Sequence, residues 1–229
     1  MTYINKIGLE LEGGWDGRPG KRPFKDVQII MDRSIDGQTM RHDFAMKSVH
    51  VGEIVSEPMA LDAWEPWLRK YWPTEANNTC GYHIHISMKK PLYYMLLTRK
   101  RFLFKLMDDI MRTARNIDLP RDHYLYQRLN GQNPFCMFNF DPTSQIGVIE
   151  KRIGMRTRYG VINYCHGLHK TVEFRGYPTF DNKDHAVEFT HVFLHSVDDY
   201  LDEVTQKDWS RTMSLKEEDG MVKITKKGE

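Results

Sequence analysis

The sequence predicts a single α+β domain in which a curved, mostly antiparallel sheet is backed by helices. Three stretches carry the prediction: Ile7-Gly8-Leu9-Glu10-Leu11-Glu12, Cys80-Gly81-Tyr82-His83-Ile84-His85-Ile86-Ser87 and Thr171-Val172-Glu173-Phe174-Arg175. Side chains alternate between the two faces of a strand, so residues two apart point the same way. Each stretch therefore turns an apolar set to one face: Leu9 and Leu11, then Tyr82, Ile84 and Ile86, then Val172 and Phe174. Each turns a charged or imidazole set to the other: Glu10 and Glu12, then His83 and His85, then Glu173 and Arg175. The chain has 229 residues, 40% of them hydrophobic, which suits one domain with a real core and a possible appendage.

Taken in order, the first strand covers roughly Tyr3–Leu11 and delivers Glu10 and Glu12. The segment Gly13–Arg22 reads as a flexible basic loop. It is no Walker phosphate loop, because five residues separate Gly14 from Gly20-Lys21 and Arg22 follows. Val27–Met31 reads as a second strand ending in a polar turn at Asp32. Val49–Ser56 is a third strand that carries Glu53 and is closed by Pro58. Leu61–Trp72 reads as a short helix whose Trp64, Trp67, Leu68 and Tyr71 form a core stripe. The His-x-His strand follows, and Pro91 then opens one long helix over Leu92–Arg115. Ile117–Gln145 has no clear period. Tyr159–Cys165 and Thr171–Tyr177 read as a hairpin pair, and Asn182–Val204 as a helix with Val187, Leu194, Val197, Leu201 and Val204 inward. The domain is expected over residues 1–204, with residues 205–229 a charged tail or edge extension.

If the strands share one sheet, their polar faces converge. Carboxylates that close cannot all stay ionised without a cation among them. A set rich in carboxylates with few imidazoles suits Mg²⁺ or Mn²⁺ better than Zn²⁺. Arg175 adds a planar positive fork suited to phosphate or carboxylate. Metal, carboxylates and Arg together are the equipment of phosphoryl transfer. Lys151, Arg152, Arg156 and Arg158 are either a phosphate clamp or a solvated basic segment.

The order of motifs resembles a known family. E-x-E at Glu10–Glu12, G-E-I-V-S-E-P at Gly52–Pro58, G-Y-H-I-H-I-S at Gly81–Ser87, a long helix and T-V-E-F-R at Thr171–Arg175 are similar to the amidoligase family. That family belongs to the carboxylate–amine ligase superfamily with glutamine synthetase and glutamate–cysteine ligase. The similarity runs from about Ile4 to about Phe180. It implies a glutamine synthetase-like catalytic domain that uses ATP and Mg²⁺ or Mn²⁺ to join a small-molecule or peptide carboxylate to an amine through an acyl phosphate. By the same resemblance, Glu12 and Glu53 hold one metal, and Glu10, His83 and Glu173 the other. His85 meets ATP phosphate, which the clamp reading of Arg152, Arg156 and Arg158 would also serve. Arg175 meets the transferring phosphoryl group, and Asp32 holds the amine. The chain departs from glutamine synthetases in having no room for their extra amino-terminal domain and fewer carboxylates in the second metal cluster.

Composition narrows the alternatives. The formal net charge of +2 gives no argument for nucleic acid. No run of 18 apolar residues exists, so no membrane span is expected. The scattered Cys80, Cys136 and Cys165, with no signal-peptide core at the start, lead to the expectation of a reduced, cytoplasmic protein. A mononuclear metal enzyme of the double-stranded β-helix type needs a Glu soon after His-x-His, and none occurs until Glu150. A non-catalytic binding scaffold with a degenerate site is the remaining alternative.

Overall fold

The computed structural model describes residues 3–16, 24–32, 34–35, 49–97, 99–130, 136, 160–164, 170–207, 213–218 and 221–226. Strands β1 (Ile4–Asp16), β2 (Val49–Val55), β3 (Gly81–Met88), β4 (Ile162–Tyr164) and β5 (Val172–Pro178) form one five-stranded sheet in the order β2-β1-β3-β5-β4. Every neighbouring pair is antiparallel. The helices are α1 (Trp64–Tyr71), α2 (Pro91–Leu97), α3 (Lys100–Asn116), α4 (Tyr124–Leu129) and α5 (Lys183–Lys207). The class is α+β, as the alternating stretches predict.

The apolar face of the sheet is the core. Leu9, Leu11, Ile54, Tyr82, Ile84, Ile86, Val172 and Phe174 are all buried. The long helix α5 closes over them. The Phe174 and Phe193 rings stack with centroids 5.1 Å apart. Tyr82 and Tyr177 bring polar ends inside, and both are satisfied: the Tyr82 hydroxyl lies 2.7 Å from Thr190 Oγ1, and the Tyr177 hydroxyl donates to the Phe189 carbonyl at 2.7 Å. The inward stripe expected of α5 is buried at Val187, Leu194, Val197, Leu201 and Val204. The side chain of Asn182 caps α5 by accepting from Asp184 N at 2.8 Å.

Several boundaries differ from the sequence reading, each for a physical reason. Strand β1 runs on to Asp16, through two glycines that read as a loop. Gly13 is needed there because a Cβ would stand 2.6 Å from Pro73 Cβ. Residues 73–75 press against the strand, with Gly14 N donating to the Glu75 carbonyl at 2.8 Å. Buried Trp15 ties the strand end to α1 by donating Nε1–H to the Tyr71 carbonyl at 2.8 Å.

The strand expected over Val27–Met31 is a single bridge, Ile30 to Glu53. Val27 and Ile29 pack against the core, but Ile30 is 48% exposed and Met31 84%, and Ile30 pairs only with Glu53. The helix expected over Leu92–Arg115 is two helices, with Arg99 extended between them at φ −77°, ψ 141°. One straight helix of that length would span about 36 Å and carry one half off the sheet. The break lets Leu92 and Leu96 on one piece, and Phe102, Leu106 and Ile110 on the other, all face inward. Helix α5 also passes the expected boundary at 204, ending at Lys207. Beyond it, β6 (Met213–Glu218) and β7 (Met221–Lys226) pair with each other and with no other described strand. No described helix is long and apolar enough to cross a membrane.

Candidate metal centre

The register of the sheet puts the acids and imidazoles side by side. Glu10 lies opposite His83, His85 opposite Glu173, Glu12 opposite Glu53 and Asn163 opposite Glu173. Directly paired residues share a face. Glu10, Glu12, Glu53, His83, His85 and Glu173 therefore form one polar row across β2, β1, β3 and β5, on the face opposite the core.

The side chains meet within the row. His83 Nδ1 is 2.8 Å from Glu10 Oε1 and 3.8 Å from Glu173 Oε1, and its Nε2 is 3.7 Å from Glu12 Oε1. His85 Nε2 is 3.4 Å from Glu10 Oε2 and 3.9 Å from Glu173 Oε1. Arg175 donates to Glu173 Oε1 at 2.5 Å, and Asn163 Nδ2 to Glu173 Oε2 at 2.9 Å. Glu12 accepts from the backbone N–H of Gly81. A side chain at Gly81 would have to displace the His83 ring, because a Cβ would stand 2.4 Å from His83 Nε2.

Three sets of ligand atoms each lie within 4.8 Å of one another: Glu10, Glu12 and His83; Glu10, His85 and Glu173; Glu12, Asp32 and Glu53. The resemblance divides the residues differently. It places Glu12 with Glu53, as found, but sets Asp32 apart for the amine and His85 apart for phosphate. Here Asp32 lies with Glu12 and Glu53, and His85 with Glu10 and Glu173. The bridge between Ile30 and Glu53 carries Asp32 in: Ile30 N donates to the Glu53 carbonyl and Glu53 N to the Ile30 carbonyl, both at 2.8 Å. Asp32 Oδ1 then accepts from Ser34 N at 2.7 Å, the polar turn predicted at that place. Glu57 is exposed and takes no part. Arg152, Arg156 and Arg158 lie outside the described residues.

The electrostatics of the row are uneven. Burial, and then the charges of Glu10, Asp32 and Glu12, push Glu53 up to about 7. Burial also raises Glu12, against the pull of His83 and the Gly81 N–H. Burial acts to raise Glu10, but His83 and His85 outweigh it and hold the carboxyl far below its usual range. Burial acts likewise on Glu173, and Arg175, His83 and His85 outweigh it and lower it. For His85 burial favours the neutral ring, yet its bond to Glu10 and the charge of Glu173 raise it. The β5 end thus has its own cation, whereas carboxylates at the β2 end resist ionising together. A divalent ion among hard oxygen ligands would supply what that end lacks, and this donor set could hold one of the Mg²⁺ or Mn²⁺ type.

A stability profile tests this. Glu53 sits above its ordinary 4.5, so between pH 4.5 and about 7 the folded state binds more protons than the unfolded one. The metal-free chain therefore loses stability as pH rises through that window. Raised Glu12 and raised His85 act in the same direction, Glu12 above 4.5 and His85 above 6.5. Lowered Glu10 and Glu173 act only below 4.5. Burial lowers His123, which opposes this trend below 6.5, so melting curves without metal should fall most clearly between about pH 6.5 and 8. At neutral pH, Mn²⁺ at 100 times its Kd adds about 2.7 kcal/mol, or roughly 5–10 °C. A metal-free midpoint that climbs over this range, or no response to Mn²⁺ and Mg²⁺, contradicts the assignment.

Sequence reasoning missed Arg128. It comes from the stretch without a clear period, yet it is buried beside Glu12 and Arg175. Set against family models, curated proteins and solved structures, the chain matches none.

Proposed function

We propose that this chain is an ATP-dependent carboxylate–amine ligase that forms an amide or isopeptide bond through an acyl phosphate. One observation carries the reading: a row of carboxylates and imidazoles in which Glu10 and Glu12 each belong to two candidate ligand sets, ending at Arg175. A row of adjoining cation positions beside a fixed guanidinium suits the handling of a polyphosphate next to a carboxylate. The antiparallel sheet and the motif order support, within the same reading, a glutamine synthetase-like catalytic domain.

ATP and its divalent ions supply the activating chemistry: a carboxylate oxygen takes the γ-phosphoryl group, ADP leaves, and the amine then displaces phosphate from the acyl carbon. The chain's residues orient and neutralise. Glu10, His83, His85 and Glu173 form one end of the ion-binding row, and Glu12, Asp32 and Glu53 the other. In this reading Asp32 serves the ion position of its two neighbours rather than the amine alone. Arg175, held by Glu173, keeps its planar fork aimed beside the row and offsets charge on the phosphoryl group in transfer. Asn163 fixes the far oxygen of Glu173, so that carboxylate cannot rotate away.

A screen of amino acids, polyamines and peptides for Mg²⁺-dependent phosphate release tests the proposal. A productive pair should give ADP and phosphate in one-to-one ratio with the amide. Stoichiometric AMP and pyrophosphate would refute the acyl-phosphate route.

A further inference from the structure

Arg128, on α4, is the one buried lysine or arginine among the described residues, at 2% exposure. Its contacts are poor for so costly a placement. Its two Nη groups reach the backbone carbonyls of Arg175 and Thr79 at 3.5 Å each, the long limit of a hydrogen bond. Its Nε–H has no acceptor among the described residues. No carboxylate of the described residues forms an ion pair with it. A guanidinium does not shed its proton, and a buried charge without a counter-charge is strongly unfavourable.

The surroundings give the missing half. Arg128 lies in the field of Glu12 and of Arg175, beside the Thr79–Gly81 entry to β3. Glu12, whose charge acts on Arg128, stands in two of the candidate cation sets, so an ion bound there would draw on that charge. Arg175 is at the rim, with its side chain 12% exposed. We propose that Arg128 is an anion-binding residue that, with Arg175, takes an oxyanion, phosphoryl or carboxylate, brought against the cation row. This rests on the ligase reading for the nature of the ligand, and the loose carbonyl contacts are those that the ligand replaces or shares.

Inorganic phosphate and acetate are the probes. Each is titrated, with Mg²⁺ present, against the wild-type chain and the Arg128→Gln and Arg128→Lys variants, following the melting midpoint. The wild type should show saturable stabilisation by at least one probe. Arg128→Gln should weaken its apparent affinity by at least about tenfold, and Arg128→Lys, which keeps charge but loses the fork, by about threefold. The exposed control Arg112→Gln should change nothing. Response to phosphate alone identifies a phosphoryl position, and response to acetate alone a substrate carboxylate position.

If Arg128→Gln does not fold, Arg128→Lys decides. The wild-type chain offers a third readout, the Nε–H resonance of Arg128, which should move on adding the probe. Unchanged affinity in the folded variants, no binding to the wild type, or an unmoved resonance overturns the inference. Mg²⁺ stabilisation retained without any anion response removes Arg128 from the site while leaving the ligase reading standing. Anion binding without ADP formation on any substrate pair does the reverse.

Discussion

On the ligase reading, replacing Glu173 by Gln should lower phosphate release by about 10²–10³-fold, or ~3–4 kcal/mol in the barrier, and Arg175→Lys should do nearly the same. Glu173 is the strand's one acid, and it faces His83, His85, Arg175 and Asn163 at once. The amide keeps the shape but removes a charge that offsets a cation. It also turns an NH₂ group toward either Arg175 or Asn163, where a donor already stands. Arg175→Lys keeps the charge but loses the planar fork, so in the proposed reaction the geometry at the transferring phosphoryl group should suffer. Nucleotide binding should survive better than turnover. Both variants should remain folded at assay temperature, because Val172 and Phe174 on the reverse face are untouched. Steady-state phosphate release beside melting curves is the measurement. Near wild-type turnover in either variant, with a productive substrate pair, would make this strand structural and the site misplaced.

The reverse face of the same strand yields the opposite phenotype. Phe174→Ala should cost about 3–5 kcal/mol of stability, and roughly 6–20 °C in melting midpoint. The ring is fully buried, stacked on Phe193 and edge-on to Tyr177 at 4.7 Å between centroids. Gly176 lies against it so closely that a Cβ there would stand 2.4 Å from Phe174 Cζ. Removing the ring leaves a cavity that stacked aromatics and a rigid strand cannot close. Mn²⁺ should still stabilise what remains folded, because the charged face is intact. Chemical denaturation showing a loss below about 1 kcal/mol would mean that the site relaxes far more than this packing implies.

These two phenotypes divide along an alternation written into the order of the amino acids. Period two separates Leu9 from Glu10, Ile84 from His85 and Phe174 from Glu173, and the folded sheet keeps each of those pairs on opposite faces. Alternation alone does not say which strand lies beside which. That Glu10 pairs with His83 and Glu12 with Glu53 depends on register, which arises from long-range pairing. Gly13-Gly14 misleads because glycine marks loops more often than close strand contacts, and the neighbour that needs the space, Pro73, is far along the chain. The break near Arg99 lacks a proline or glycine to announce it. Asp32 and Arg128 join the row through tertiary contacts, one by a single bridge and the other by burial of a short helix. Neither has a periodic signal of its own.

The doubling of duty at Glu10 and Glu12 carries a thermodynamic consequence. Ligand sets that share a member cannot fill as independent compartments. An ion taken at Glu10, Glu12 and His83 changes the charge and the free lone pairs offered to the set on either side, and by reciprocity each neighbour alters its affinity in turn. Occupancy should then follow a single interdependent isotherm rather than a sum of separate ones. Damage should be unequal for the same reason: loss of Glu53 or His85 should impair one candidate position, whereas loss of Glu10 or Glu12 should impair two.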